Sequence, residues 1–201
     1  MEDQSRQQSF ADRYESGKIP WDDRLPPPEL VALVDRLDSG RALDLGRGYG
    51  RTSIYLADHG WQVDGTEFVF QAVEESRRRA RQAGVDRLVR FHVADVTDLD
   101  FLDETYDLAV DIGCMHSLNM PELESYRDEL KRLLHSGAHY LLFAHLRDPE
   151  DDSDEAARWI EEPDLLALFT DGFSLSQVVH GVTEVADNPP WLSAWFYFRR
   201  L

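Results

Sequence analysis

The sequence predicts an α/β fold: a doubly wound, mostly parallel, seven-stranded sheet whose last strand is antiparallel. Three observations predict it. Short apolar runs alternate with longer segments of helical spacing along nearly the whole chain, the pattern of βαβ units with helices on both sheet faces. A glycine-rich turn, Gly46-Arg47-Gly48-Tyr49-Gly50, directly follows the first apolar run. The length, 201 residues, suits one such sheet, so a single domain (29–201) behind a short N-terminal arm (1–28) is expected.

The elements follow in order. The polar arm carries a short helix around Ser9–Ser16 and ends in Pro26-Pro27-Pro28. Leu30, Leu33, Val34 and Leu37 have helical spacing, so Glu29–Leu37 is a helix. Ala42–Leu45 is a buried strand, Thr52–His59 a helix stopped near Gly60, and Gln62–Thr66 a second strand. Phe70–Ala83 is an arginine-rich helix stopped by Gly84, and Val85–Val93 holds the third strand. Tyr106–Ile112 is the fourth strand, Pro121–Leu134 a helix with proline in its first turn, and His139–Ala144 the fifth strand. An acidic loop, Arg147–Glu155, and a helix, Asp164–Phe169, precede two closing strands, Phe173–Val185 and Ser193–Arg200. Such sheets bind ligands beyond the carboxyl ends of their strands, so functional residues are sought at the strand tips.

Charge narrows the function classes. There are 21 basic and 39 acidic residues, a net charge of −18. That excludes a free-standing nucleic-acid binder, which needs a positive footprint, and disfavours anionic membrane surfaces. No apolar run approaches the roughly 20 residues of a membrane helix, and the polar N-terminus is not a signal peptide. The single cysteine, Cys114, excludes an internal disulfide and a cysteine metal cage. A soluble, cytoplasmic monomer or homodimer is expected, with no metal and no nucleic-acid or membrane partner. Lys18 and Lys131 are the only lysines, an arginine bias that fits a GC-rich, bacterial genome.

The loop after the first strand reads D-x-G-x-G-x-G from Asp44. The dinucleotide pattern G-x-G-x-x-G needs glycine at position 51, where Arg51 stands, and the G-K-[ST] of a phosphate loop is absent. An acid just before the glycines repels a pyrophosphate and suits a ligand with a cationic amino group. A second acid, Glu67, stands at the tip of the second strand, where a carboxylate can accept both hydroxyls of a ribose.

ALDLGRGYGRTSIYLADHGWQVDGTEF (42–68) resembles the first two motifs of class I S-adenosylmethionine (SAM) dependent methyltransferases. The resemblance continues through ADVTDL (94–99), YDLAVDIGCMHSL (106–118) and RLLHSGAHYLLF (132–143). IPWDDRLPPPEL (19–30) resembles the small-molecule branch near thiopurine- and tellurite-type methyltransferases, where a tryptophan-bearing arm folds over the cofactor. The resemblance implies a Rossmann-like methyltransferase fold, SAM as cofactor and S-adenosylhomocysteine as product. The implied reaction is in-line methyl transfer to a small-molecule acceptor at O, N or S. Asp44 would then face the methionine amino group, and Gly46, Gly48 and Gly50 would form the loop beneath the methionine. Glu67 would hold the ribose, Phe68 and Asp95 would meet the adenine ring and amine, the Val96 backbone would serve a ring nitrogen, and Trp21 would cap the site. Arg47 departs from the family, which keeps a small residue there; its guanidinium would contact the methionine carboxylate or crowd the site.

The chemistry is expected at the fourth strand tip. His116 is the preferred general base, because an imidazole titrates near pH 6.5; the plainer reading is a ring bonded to a loop carbonyl. Asp111 orients this loop or approaches the positive end of the cofactor. His145 is a second candidate, and Cys114 is a buried inert thiol unless a partner activates it. Phe10, Tyr14, Trp21 and the segment Asn188, Pro189, Pro190, Trp191 would line a site for a flat, apolar acceptor. Two other readings stand beside methyl transfer: a non-methylating reaction such as cyclisation on the same fold, and a non-catalytic binding protein whose Arg47 or Tyr49 fills the pocket.

Overall fold

The computed structural model describes residues 2–17, 19–23, 25–151, 153, 159–184 and 190–201. They fall into two compact units, residues 1–96 and 97–201.

The first unit runs α1 (Glu2–Ser16), α2 (Pro28–Val34), β1 (Arg41–Leu45), α3 (Arg51–Asp58), β2 (Gln62–Glu67), α4 (Phe70–Ala83) and β3 (Val89–Val93). β1 pairs with β2 and β2 with β3, all parallel, with Asp44 opposite Gly65 and Glu67 opposite Val93. Parallel pairing brings the glycine loop and Glu67 to the same edge. α1 is longer than the expected Ser9–Ser16. Its polar sequence shows little helical apolar pattern, and packing holds it: Phe10, Ala11 and Tyr14 sit against Val69 and Ala72. β3 begins at Val89, later than expected, because Val85 belongs to the stop of α4. Gly84 is left-handed and the Val85 N–H bonds the Ala80 carbonyl.

The second unit runs β4 (Tyr106–Ile112), a single 3₁₀ turn (Met115–Ser117), α5 (Met120–Leu133), β5 (Leu134–His145), α6 (Glu162–Phe169), β6 (Phe173–Thr183) and β7 (Trp191–Arg200). α5 starts with a capping box: Asn119 Oδ1 accepts from the Glu122 N–H, and the Glu122 carboxylate accepts from the Asn119 N–H. β5 begins at Leu134, well before the expected His139, because Leu134 already pairs with Tyr106 ahead of a register shift. β7 is antiparallel to both β5 and β6. Tyr140, Phe169, Phe173 and Phe198 form an aromatic core, with Phe169 and Phe198 ring centres 5.0 Å apart.

The strand order is β3-β2-β1-β4-β5-β7-β6, the expected seven-stranded, mostly parallel sheet with its last strand antiparallel. No helix among the described residues is long and apolar enough to cross a membrane. Lys18, Asp152, Asp154, Glu155, Val185, Asn188 and Pro189 lie outside the described residues.

Candidate active site

The glycine loop is built by backbone conformation. Gly46, Gly48 and Gly50 have φ of 59°, 56° and 82°, the left-handed region that residues with a Cβ rarely adopt. The Arg47 N–H bonds the Thr66 carbonyl at 3.1 Å, tying the loop to β2. The Arg47 side chain turns beneath the loop. Its guanidinium lies 4.0 Å from the Phe91 ring centre and donates to the Gly48 carbonyl at 2.9 Å and to Ser76 Oγ. Nε and Nη2 are enclosed without a partner. Ser76 and Phe91 thus hold the guanidinium of Arg47 against the Gly48 carbonyl. Burial lowers its pKa to about 10, against the pull of Asp44 and Glu67, so it stays charged at neutral pH. Gly65 makes the room. A Cβ there would collide with Arg47 Cδ and lie 2.9 Å from both Arg47 Nε and Ser53 Oγ. A glycine inside a strand, two strand positions from the tip, was the available signal for such close approach.

Two carboxylates flank the loop. Asp44 is 2% exposed and accepts a hydrogen bond from Ser53 Oγ at 2.5 Å. Burial raises its pKa to about 6, with the Ser53 bond and the Arg47 charge opposing. Glu67 is 4% exposed. Its Oε1 accepts from the Val69 N–H at 2.9 Å, and its Oε2 accepts from the Gly48 N–H at 3.2 Å and from the Tyr14 hydroxyl at 3.4 Å. Burial raises the Glu67 pKa, and these donors oppose it.

The arm sits on this loop. A Cβ on Gly48 would lie 3.3 Å from Tyr14 Oη and 3.5 Å from Trp21 Nε1. Trp21 packs edge-on to Phe10 and Tyr14, and Phe10 packs edge-on to Phe68 at 5.6 Å. Arg79 grips Asp22, the neighbour of Trp21, through two bonds of 2.7 and 2.8 Å. Tyr14, expected on the acceptor side, is thus placed on Glu67. Asp95 is ion-paired with Arg6 at 3.6 Å, and Val96 is buried. Trp21, Asp44, Gly46, Gly48, Gly50, Glu67 and Phe68 are therefore brought together around the glycine loop. Sequence reading missed Ser53, Ser76 and the Tyr14 bond, since their partners are distant along the chain.

At the tip of β4, Asp111 is fully buried. Its Oδ1 accepts from the Cys114 N–H at 2.7 Å, and its Oδ2 accepts from the Met115 N–H at 3.0 Å and from the Tyr126 hydroxyl at 2.7 Å. Tyr126 Oη also lies 2.9 Å from Tyr140 Oη. Of the two expected roles, this geometry serves the first: Asp111 orients the turn. Tyr126→Phe is expected to lower stability by about 1–2 kcal/mol, because the carboxylate loses a buried donor. A thermal melt should read this as a fall of roughly 2–8 °C.

His116 stacks face to face on His145 at 4.3 Å and edge-on to Trp159 at 5.2 Å. His145 in turn meets Trp159 and Trp191 edge-on. Nδ1 of each histidine is enclosed without a partner, so the loop-carbonyl bond is not made there. Burial, reinforced by His145, lowers the His116 pKa to about 3, and burial lowers His145 to about 4. The reason for choosing His116 as base, a pKa near 6.5, is corrected: the ring is neutral at physiological pH and holds a proton weakly. His116 forms one wall of an open cleft of about 250 Å³, shared with Met115, Leu123, Arg147, Trp159 and Ile160. The Arg147 N–H bonds the Ile160 carbonyl at 2.9 Å, and its Nη1 lies 3.2 Å from Glu161 Oε1. Arg147 and Trp159 were not singled out from the sequence, although a cation just past a strand tip was a usable signal.

A buried acid before a left-handed glycine loop and a second acid at the next strand tip are the arrangement that the resemblance to class I SAM-dependent methyltransferases implies. Residues 42–137 match the family described as the methyltransferase domain. It is 23% identical over 164 residues to the 2-heptyl-1-hydroxyquinolin-4(1H)-one methyltransferase of Mycobacteroides abscessus, covering 81% of this chain and 72% of that protein. Among solved structures, it is similar to the 1,6-didemethyltoxoflavin-N1-methyltransferase of Burkholderia thailandensis, solved with its acceptor and S-adenosylhomocysteine. The TM-score is 0.78 at 22% identity, over 96% of this chain and 86% of that one. TehB of Haemophilus influenzae is similar with a TM-score of 0.72 at 18% identity, over 95% of this chain and 67% of that one.

Proposed function

We propose that this protein transfers a methyl group from SAM to a small heteroaromatic molecule at oxygen or nitrogen. The observation that carries the reading is the pair Asp44 and Glu67, buried carboxylates on either side of the glycine loop, one of them bonded to the Gly48 N–H. These residues fit the cofactor. Asp44 is a buried acid whose hydrogen-bond donors are both from Ser53, so an ammonium completes it. Gly48 leaves its backbone bare beneath the Tyr14 hydroxyl and the Trp21 ring. In this reading Asp44 holds the methionine ammonium, Gly46, Gly48 and Gly50 form the backbone path, and Glu67 holds the ribose. Phe68, Asp95 and the Val96 backbone serve the adenine, and Trp21 with Tyr14 caps the site.

When bound, SAM supplies an electrophilic methyl carbon on a cationic sulfur. The leaving group is a neutral thioether, so no acid is needed, and holding the acceptor in line carries most of the rate, up to roughly 7–11 kcal/mol. The small heteroaromatic acceptor is supported by the relatives, which act on a hydroxyquinolinone and on a toxoflavin precursor. The net charge of −18 disfavours nucleic acid as acceptor.

Calorimetry with SAM and S-adenosylhomocysteine tests the reading; absence of binding to both overturns it. The pH dependence is specific. Asp44 has a folded pKa of about 6, above its ordinary value of 3.8. Its contribution to the stability of the cofactor-free fold is therefore present below pH 3.8 and is lost as pH rises through 6. An ammonium ligand favours the carboxylate instead. SAM affinity should fall by up to about tenfold per unit below pH 6 and level off above pH 7, with proton release on binding near pH 6. Asp44→Asn should remove that dependence.

A further inference from the structure

We propose that the cleft between the Met115–Ser117 turn and the Trp159–Glu161 segment is the acceptor site. We infer that it takes a planar heteroaromatic bearing an acidic ring O–H or N–H, bound as its anion against Arg147. This deepens the methyl-transfer reading and rests on it.

The walls select the ring. Met115, Leu123 and Ile160 are apolar, while His116 and Trp159 present flat rings. A volume of about 250 Å³ suits a one- or two-ring molecule with a short substituent.

Charge selects the head group. Among the described residues that line the cleft, Arg147 is the one Lys or Arg side chain; Glu161 and Asp164 are the acids. Arg147 is held through its backbone to Ile160 and pairs with Glu161, whose side chain is 53% exposed. An exposed pair of this kind contributes roughly 0–1 kcal/mol. A ligand anion inside the cleft displaces Glu161 from the guanidinium, and the two acids raise the cost of any anion that does not reach Arg147.

The acceptor proton requires this arrangement. A neutral O–H or N–H acceptor that must lose its proton in the transition state needs a base there. The histidines lie ring on ring, and Nδ1 of each has no partner among the described residues. Protonating His116 would set an unpaired cation against the face of His145, from β5, with Cys114 beside it on the same turn. The lowered pKa values of both rings agree with that geometry. The acceptor therefore gives its proton to water. The lone pair of the anionic heteroatom forms the bond to the methyl carbon, and the C–S bond breaks with its electron pair returning to sulfur. Anion and sulfonium become two neutral products.

The test compares 1-hydroxyquinolin-4(1H)-one with quinolin-4(1H)-one, which share a ring and differ in acidity. Binding is followed by tryptophan fluorescence without SAM, and turnover by mass. The inflection in kcat/KM should move with the acidity of the acceptor. Arg147→Gln should weaken binding of the ionised N-hydroxy probe by about tenfold or more and flatten its pH dependence. Arg147→Lys should retain most of the affinity, and Glu161→Gln should tighten it. An inflection at one pH for both acceptors, or an unchanged pH dependence of binding in Arg147→Gln, overturns the proposal. SAM calorimetry on the same preparations separates the failures. Loss of SAM binding sinks the methyl-transfer reading, whereas intact SAM binding with pH-independent acceptor binding sinks the cleft.

Discussion

Glu67→Ala is expected to weaken SAM binding by about 100-fold or more, read by calorimetry with S-adenosylhomocysteine as a second ligand. A carboxylate that accepts two ribose hydroxyls makes two charge-assisted hydrogen bonds, each worth about 1.5–3 kcal/mol. Losing both corresponds to roughly two to four decades in affinity. The substitution also frees the N–H groups of Gly48 and Val69 and the Tyr14 hydroxyl, all of which now point at the carboxylate. The loop and the arm thus lose a common anchor. Glu67→Gln separates the two effects, because an amide keeps the shape and one acceptor oxygen. It keeps one of the two backbone bonds, so it should lose less stability than Glu67→Ala and still bind SAM poorly. Affinity within threefold of the parent for Glu67→Ala would remove Glu67 from the cofactor site.

Gly65→Ala is expected to destabilise the protein by about 2–3 kcal/mol, the upper part of the roughly 1–3 kcal/mol range for overpacking a filled interior. For a chain of this size that is a fall of roughly 4–12 °C in Tm. The added methyl would meet the Arg47 side chain in mid-stem and the Ser53 hydroxyl, which holds Asp44. The guanidinium cannot simply swing away, since Phe91, Ser76 and the Gly48 carbonyl fix it. Arg47→Ala should relieve the clash. The double variant Arg47→Ala with Gly65→Ala should be more stable than the sum of the single effects by about 1 kcal/mol or more. Simple additivity in a denaturant titration would show that the two positions do not share space.

Much of the cofactor half was legible because its signals are local. Phe70–Ala83 was read with both ends correct: Gly84 stops the helix wherever the rest of the chain goes. Asp44 and Glu67 stand near each other because parallel pairing places the tips of β1 and β2 side by side. The extent of α1 was not legible, since its stability comes from Val69 and Ala72 rather than from its own polar sequence. Nor was the start of β5, which depends on the pairing of Leu134 with Tyr106.

The sequence by itself determined the alternating architecture, the left-handed glycine loop and the acids at its sides. Those follow from backbone sterics and short-range periodicity, which travel with the residues. Only the tertiary structure decided which way Arg47 turns and how His116 titrates. Arg47 took its direction from Ser76 and Phe91, and from the space left at Gly65. His116 lost its basicity to burial and to a second imidazole stacked on it. A side chain's charge state and direction are set by the dielectric and the partners around it, and those exist only once distant segments have packed.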